Sequence, residues 1–165
     1  MEDFNYFVLA RALHVIGVVL WIGGVGFVTT VLIPSLKKTT DSVNKLELFE
    51  QLEGKFAFQA KFVTLMTGFS GFYMLHVLKA WYRYQHWQFW WVHLMTLIWL
   101  LFTVVLFVLE PLFLHRRFHE QAMKNADDAF SLLHRMHKVL LTLSLLAVLG
   151  AVLGAHGFQF SYVHG

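Results

Sequence analysis

The chain alternates long apolar runs with shorter polar stretches, and the first run sets the pattern for the others. Residues 11–34 carry no charge after Arg11, and His14 is their only other ionisable side chain. A helix needs about 20 apolar residues to cross the hydrocarbon layer of a membrane, so this run is long enough to span it. Three further apolar runs follow the same pattern. The four predicted spans are residues 7–36, 56–78, 88–114 and 139–162.

Four spans in succession predict an all-α integral membrane protein, a four-helix bundle whose helices run up-down-up-down. No linker or low-complexity tract interrupts the chain, so residues 1–165 form a single transmembrane domain. The polar stretch 37–55 contains LELFEQLEGKF. Its helical spacing of apolar residues predicts a helix that lies along the membrane surface.

Composition agrees with a membrane location. Hydrophobic residues make up 58% of the chain and charged residues 14%, whereas apolar residues account for about 45–50% of a typical soluble domain. Phe (17) and Trp (6) are abundant, which is typical of aromatic belts at membrane interfaces. The chain has no cysteine, so disulfides, thiolate metal sites, Fe–S clusters and c-type haem attachment are excluded. The net charge of +3 includes no long basic run, so membrane lipid, and not nucleic acid, is the expected partner.

Lysine and arginine are divided unequally between the two ends of the predicted helices. The long loops carry nine, four in residues 37–55 and five in residues 115–138, against Arg11, Lys79 and Arg83 on the other side. The positive-inside rule therefore places the long loops in the cytoplasm and both termini in the periplasm of a bacterial inner membrane. The N-terminus lacks a positively charged leader, so the first span is expected to act as an uncleaved insertion signal.

Each predicted span contains one histidine near its outer end. These residues are His14, His76, His93 and His156. Because consecutive helices alternate in direction, the spacing predicts one layer of four imidazole rings in the outer leaflet. A polar ring inside a span costs free energy unless it has a partner, and four-helix bundles commonly hold cofactors between facing helices. The layer therefore predicts a cofactor site.

Haem b fits this layer because imidazole is a standard axial ligand and noncovalent haem needs no cysteine. Four ligands match two haems, or one haem with two histidines left for a quinone or a metal. Arg11, Lys79 and Arg83 lie at the same outer boundary and are candidate partners for the haem propionates. Glycines that would allow flat approach of a macrocycle are Gly17, Gly23, Gly24, Gly26, Gly68, Gly71, Gly150 and Gly154.

Other interpretations of these residues stay open. Hydrogen bonds between helices would also explain the histidines, and imidazole binds copper as well as haem iron. Lys61 and Glu110 lie near the inner ends of their spans, where an ion pair is expected before a proton route. A second group of histidines brackets the inner loop, either as a metal or haem site or as solvated side chains. These are His115, His119, His134 and His137.

The sequence RALHVIGVVLWIGGVGF resembles the first helix of the CopD-like and HemJ-like membrane proteins. In that pattern a Leu-His pair is followed, seven residues after the histidine, by Trp-x-Gly-Gly; here these residues are His14, Trp21, Gly23 and Gly24. GFSGFYMLH, FVLEPL and RMHKVLL are similar to later helices of short bacterial members. The resemblance implies a four-helix membrane protein that binds haem b, with His14 as a ligand.

Protoporphyrinogen IX oxidation and copper uptake or resistance are the functions attached to these relatives. The chain lacks the Tyr-Leu-Pro-Arg and Tyr-His elements of the oxidase, and it lacks the Met-rich runs and cysteines expected for copper handling. We therefore predict a membrane cytochrome b that exchanges electrons with the quinone pool or a periplasmic redox protein. The alternatives are a copper transporter, a haem-dependent oxidoreductase such as the oxidase, and a structural subunit of a larger complex. A small-residue face would suit a homodimer.

Overall fold

The computed structural model describes residues 2–38, 42–114, 120 and 125–158, which are helical almost throughout. The α-helices are α1 (Glu2–Phe27), α2 (Ile33–Lys37), α3 (Ser42–Val77), α4 (Trp90–Val104) and α5 (Ala126–Ala155). The π-helical segments are Val28–Leu32 and Val105–Leu114, and the 3₁₀ turns are Ala80–Gln85 and Trp87–Phe89. The described residues contain no strand, and the prediction of an all-α protein is confirmed.

Three helical stretches are long and apolar enough to cross a membrane. They are Phe4–Lys37, Trp87–Glu110 and Ala126–Ala155, and they contain most of the first, third and fourth predicted spans. The second predicted span, residues 56–78, lies in α3, where lysine, histidine and several hydroxyl side chains lower the mean hydropathy. The helix that contains the fourth predicted span, α5, ends at Ala155, whereas the sequence predicted that this span extends to residue 162. Gly157 has a φ of 77°, a left-handed conformation that commonly ends helices.

The segment LELFEQLEGKF does not form a separate surface helix, because α3 runs without a break from Ser42 to Val77. Its apolar side faces the start of α5, so the pattern that suggested contact with lipid serves contact between helices. Phe49 meets Phe130 edge to face, with ring centroids 5.3 Å apart. Lys45 Nζ lies 2.9 Å from Asp127 Oδ1 and 5.3 Å from the centre of the Phe130 ring.

The helices pack as neighbours around two main core clusters. α1 lies mainly along α3 and α4 mainly along α5, while smaller contacts join α1 to α5 and α3 to α4. The main core takes residues from all four of these helices: Trp21, Ile22, Val25, Val63, Ile98, Phe102 and Ala147. A second core lies nearer the α2 end of the molecule and consists of Val28, Leu32, Ile33, Leu36, Phe49, Ala126 and Phe130.

Pro34 lies just after a π-helical turn, and a histidine from another helix compensates for its missing N–H. Ile33 N–H bonds to Val28 O, five residues back. With the same spacing, an N–H at residue 34 would bond to Thr29 O. Proline has no N–H, so Thr29 O lacks the donor it would otherwise receive. His134 Nε2 of α5 lies 3.0 Å from Thr29 O and supplies the hydrogen bond.

The second proline of the chain, Pro111, also lies in a π-helical segment, Val105–Leu114. The residue before it, Glu110, carries an ion pair to α3, because Lys61 Nζ lies 2.7 Å from Glu110 Oε2. The two side chains are 30% and 25% exposed. The ion pair expected from the sequence is confirmed.

Candidate functional site

His14 lies on the side of α1 that packs against α3. Its Nδ1 is 2.9 Å from Thr67 O and 3.4 Å from Ser70 Oγ. The ring also lies against Gly71, where an added Cβ would come within 3.1 Å of His14 Cε1. Since a carbonyl oxygen only accepts, Nδ1 donates to Thr67 O. This bond fixes the ring and leaves Nε2 as the nitrogen able to bind a metal.

His93 is held differently, because both of its ring nitrogens lie near backbone carbonyls. Nδ1 is 3.3 Å from Phe89 O and Nε2 is 3.1 Å from Tyr84 O. The Trp87 ring stacks on the imidazole with centroids 5.4 Å apart. A neutral imidazole carries one N–H and donates to one of these carbonyls, while the other carbonyl oxygen lies against the second nitrogen. His93 therefore ties the 3₁₀ turns to the first turn of α4, and a backbone oxygen covers each ring nitrogen.

His76 and His156 lie at the outer ends of their helices and are both exposed. His76 is in the last turn of α3, and no hydrogen bond to its ring is found within the described part of the chain. His156 caps α5, and its Nδ1 is 2.7 Å from Val152 O. Each ring therefore keeps at least one nitrogen free.

The four histidines do not form the single layer that the sequence predicted. His14 contacts α3 at Thr67, Ser70 and Gly71. His76 follows Gly71 by five residues on the same helix, or about 8 Å at 1.5 Å per residue. His14 is therefore deeper than His76. No group of three or more His, Cys, Asp or Glu side chains among the described residues is placed to hold a metal.

The candidate propionate partners are near the same end of the molecule. Arg11 is exposed on α1, and Lys79 lies two residues after the end of α3 with a φ of 51°. Arg83 is half-buried in the first 3₁₀ turn, with its Cζ 5.4 Å from the centre of the Phe89 ring. All three are cations at the end where His76 and His156 lie.

Most of the glycines are covered by side chains of this protein and do not offer a flat surface to a macrocycle. The covering side chains are Thr67 at Gly17, Phe56 at Gly24, Trp99 at Gly68, His14 at Gly71, Trp90 at Gly150 and Trp91 at Gly154. Gly23 has no heavy atom within 4 Å of its added Cβ, and Gly26 has only Leu141 Cδ1 at 3.9 Å. The fit of haem therefore depends on the histidines and the outer cations, and not on these glycines.

The inner histidines are used within the fold. His134 bonds to Thr29 O, and His137 Nδ1 lies 3.0 Å from Leu133 O of its own helix. His115 and His119 lie outside the described residues.

His86 lies in the connection between α3 and α4, and its ring meets Tyr82 edge to face with centroids 6.4 Å apart.

The sequence did not reveal Thr67 and Ser70 as the partners of His14. The available signal was their spacing, because Thr64, Thr67 and Ser70 repeat every third residue in an otherwise apolar stretch. Such a repeat marks a polar stripe on a helix. It does not say which neighbouring helix the stripe will meet.

Comparison with known proteins adds no assignment. No protein family model, no curated protein and no solved structure matches this chain.

Proposed function

We propose that this protein is a haem-b membrane protein of the cytochrome type that carries electrons at the outer side of a bacterial inner membrane. The observation that supports it is the state of His14 within an apolar helix. Thr67 O holds its Nδ1 at 2.9 Å, and no partner of Nε2 is found among the described residues. A histidine whose second nitrogen bonds a backbone carbonyl is the usual form of an oriented metal ligand.

In this proposal His14 would be the first histidine to hold the haem iron. His76 or His156 would be the second, because both rings keep a nitrogen free, and either ring would have to turn inward from the outer end to reach the level of His14. One haem per chain is expected, since the nitrogens of His93 are already engaged. Arg11, Lys79 and Arg83 are the expected partners of the propionates. Bound haem supplies one-electron transfer, and the apolar helices around it adjust its potential.

The proposal includes α3 as a fourth span, which makes an up-down-up-down bundle. The mean hydropathy of α3 alone does not suggest a membrane span, but the contacts of α3 with other helices support one. α3 lies along α1 and also touches α4, and both of these belong to stretches able to cross a membrane. A helix packed between two spans shares their depth. The distribution of lysine and arginine supports a periplasmic position for both termini.

The test is a reduced-minus-oxidised visible spectrum of the detergent-purified protein, with haem measured per chain as the pyridine haemochrome. We expect about one b-type haem per chain, and His14→Ala should lose most of it because the oriented ligand is gone. His86→Ala is the matched control, since His86 is an exposed ring in the outer connection. Absence of haem, copper in its place, or full haem content in His14→Ala would each contradict the proposal.

A further inference from the structure

Three polar atoms in the core have no hydrogen-bond partner among the described residues. They are Trp21 Nε1, Thr64 Oγ1 and Ser144 Oγ. Their residues are 3%, 0% and 2% exposed, so lipid and bulk water do not reach them. Buried polar atoms are nearly always hydrogen-bonded, and each exception needs an explanation.

Thr64 differs from the other helical threonines of the described chain. Their hydroxyls all donate to the carbonyl four residues earlier, as those of Thr29, Thr30, Thr67, Thr96, Thr103 and Thr142 do. This bond within the helix is how a hydroxyl is usually satisfied in an apolar helix. Thr64 Oγ1 and Ser144 Oγ do not make it, so their hydroxyls stay available to a partner outside their own helix.

The three side chains border one cluster of the core. Trp21 packs in the same cluster as Val63 and Ala147. Thr64 directly follows Val63, and Ser144 lies one turn before Ala147. α1, α3 and α5 therefore each bring one unpartnered polar atom to the border of this cluster. Trp21 is seven residues inward from His14 on α1, about 10 Å along the helix, so this region is separate from the histidine site.

We propose that Trp21, Thr64 and Ser144 form a site for internal water at the centre of the helices. The site offers one N–H donor and two hydroxyls, each of which both donates and accepts. None of these groups is charged, so the ligand is neutral, and water is the small neutral molecule that commonly makes about three such bonds in protein interiors.

Hydroxyl-radical footprinting with peptide mass spectrometry tests this site, because radiolysis modifies side chains next to ordered water as well as exposed ones. The probe is water itself, and the sample is the purified full-length protein. After correction for intrinsic reactivity, Trp21 should be modified at least about fivefold faster than Phe130, which is 0% exposed. Exposed Trp87 gives the upper reference. A Trp21 rate no greater than that of Phe130 overturns the proposal.

Two substitutions test whether the water depends on these hydroxyls. Thr64→Val and Ser144→Ala should each lower the modification of Trp21 several-fold. Thr142→Val is the matched control, because that hydroxyl is exposed and bonds to Lys138 O, and it should leave the rate unchanged. The Trp87 to Phe130 ratio reports folding in each variant. If a variant misfolds, the comparison of the Trp21 and Phe130 rates in the unaltered protein still tests the proposal. A Trp21 rate that stays unchanged in both folded variants overturns the proposal.

Discussion

Main-chain carbonyls decide what the imidazole rings of this protein do. His14 is held by Thr67 O, His93 by Tyr84 O and His134 by Thr29 O. The sequence identified the rings as polar groups in need of partners, which they are. It did not identify the partners, because the availability of a carbonyl depends on the register between helices and on where a helix widens. The single layer of rings fails on depth, because His14 lies about 8 Å further inward than His76.

Lys79 gives a prediction at the same scale. It is the one non-glycine residue with positive φ among those described, and an L-residue pays about 1–2 kcal/mol for the left-handed region. Lys79→Gly should therefore raise the free energy of unfolding by about 1 kcal/mol, measured as a higher thermal midpoint in detergent. Lys38→Gly is the control, because Lys38 has a right-handed φ of −82°, and it should gain nothing. An equal gain in both variants would contradict the explanation.

At the scale of the element, both prolines coincide with wide helical turns. Pro34 lies near the end of the first predicted span, residues 7–36, where a proline is expected to end the helix. The helix instead continues past it as α2, to Lys37. The helix tolerates Pro34 because, after the π-helical turn, the carbonyl that lacks a donor is Thr29 O, and His134 donates to it. A donor 105 residues away lies beyond any local sequence rule.

A double-mutant cycle between Pro34 and His134 tests this compensation. His134→Ala leaves Thr29 O unpartnered and should cost about 1–3 kcal/mol of unfolding free energy. Pro34→Ala restores a backbone N–H, so in that background the same substitution should cost clearly less. His137→Ala is the comparison, because its ring bonds only to its own helix in the described structure, and it should show no coupling to residue 34. Additive effects for Pro34 and His134 would refute the mechanism.

At the scale of the whole molecule, the sequence predicted helices, their order and the Lys61–Glu110 ion pair. It did not predict that the polar segment 42–55 and the apolar segment after it form one continuous helix, α3. The reason is that an apolar stripe fits lipid and protein equally well. Leu46 and Phe49 are buried within the protein. Only the position of the start of α5 shows which of the two surfaces they meet.

Whether α3 crosses the membrane can be measured directly, because the chain has no native cysteine. Glu47→Cys lies in the exposed early part of α3, and Gln85→Cys lies in the connection after it. A membrane-impermeant maleimide applied to intact spheroplasts should label Gln85→Cys and leave Glu47→Cys unlabelled until the membrane is opened. Asn5→Cys should behave like Gln85→Cys. Labelling of Glu47→Cys and Gln85→Cys from the same side would show that α3 does not cross.

The length of α3 has a mechanical consequence. Its 36 residues extend about 54 Å, whereas the hydrocarbon layer is about 30 Å thick, so in the proposed arrangement much of it stands outside the lipid. The surplus is at the Lys45 end, since the other end closes at Lys79 in a tight turn. An unbroken helix behaves as a rod. A push on its protruding part moves Thr67 along the axis, and with it the carbonyl that holds His14.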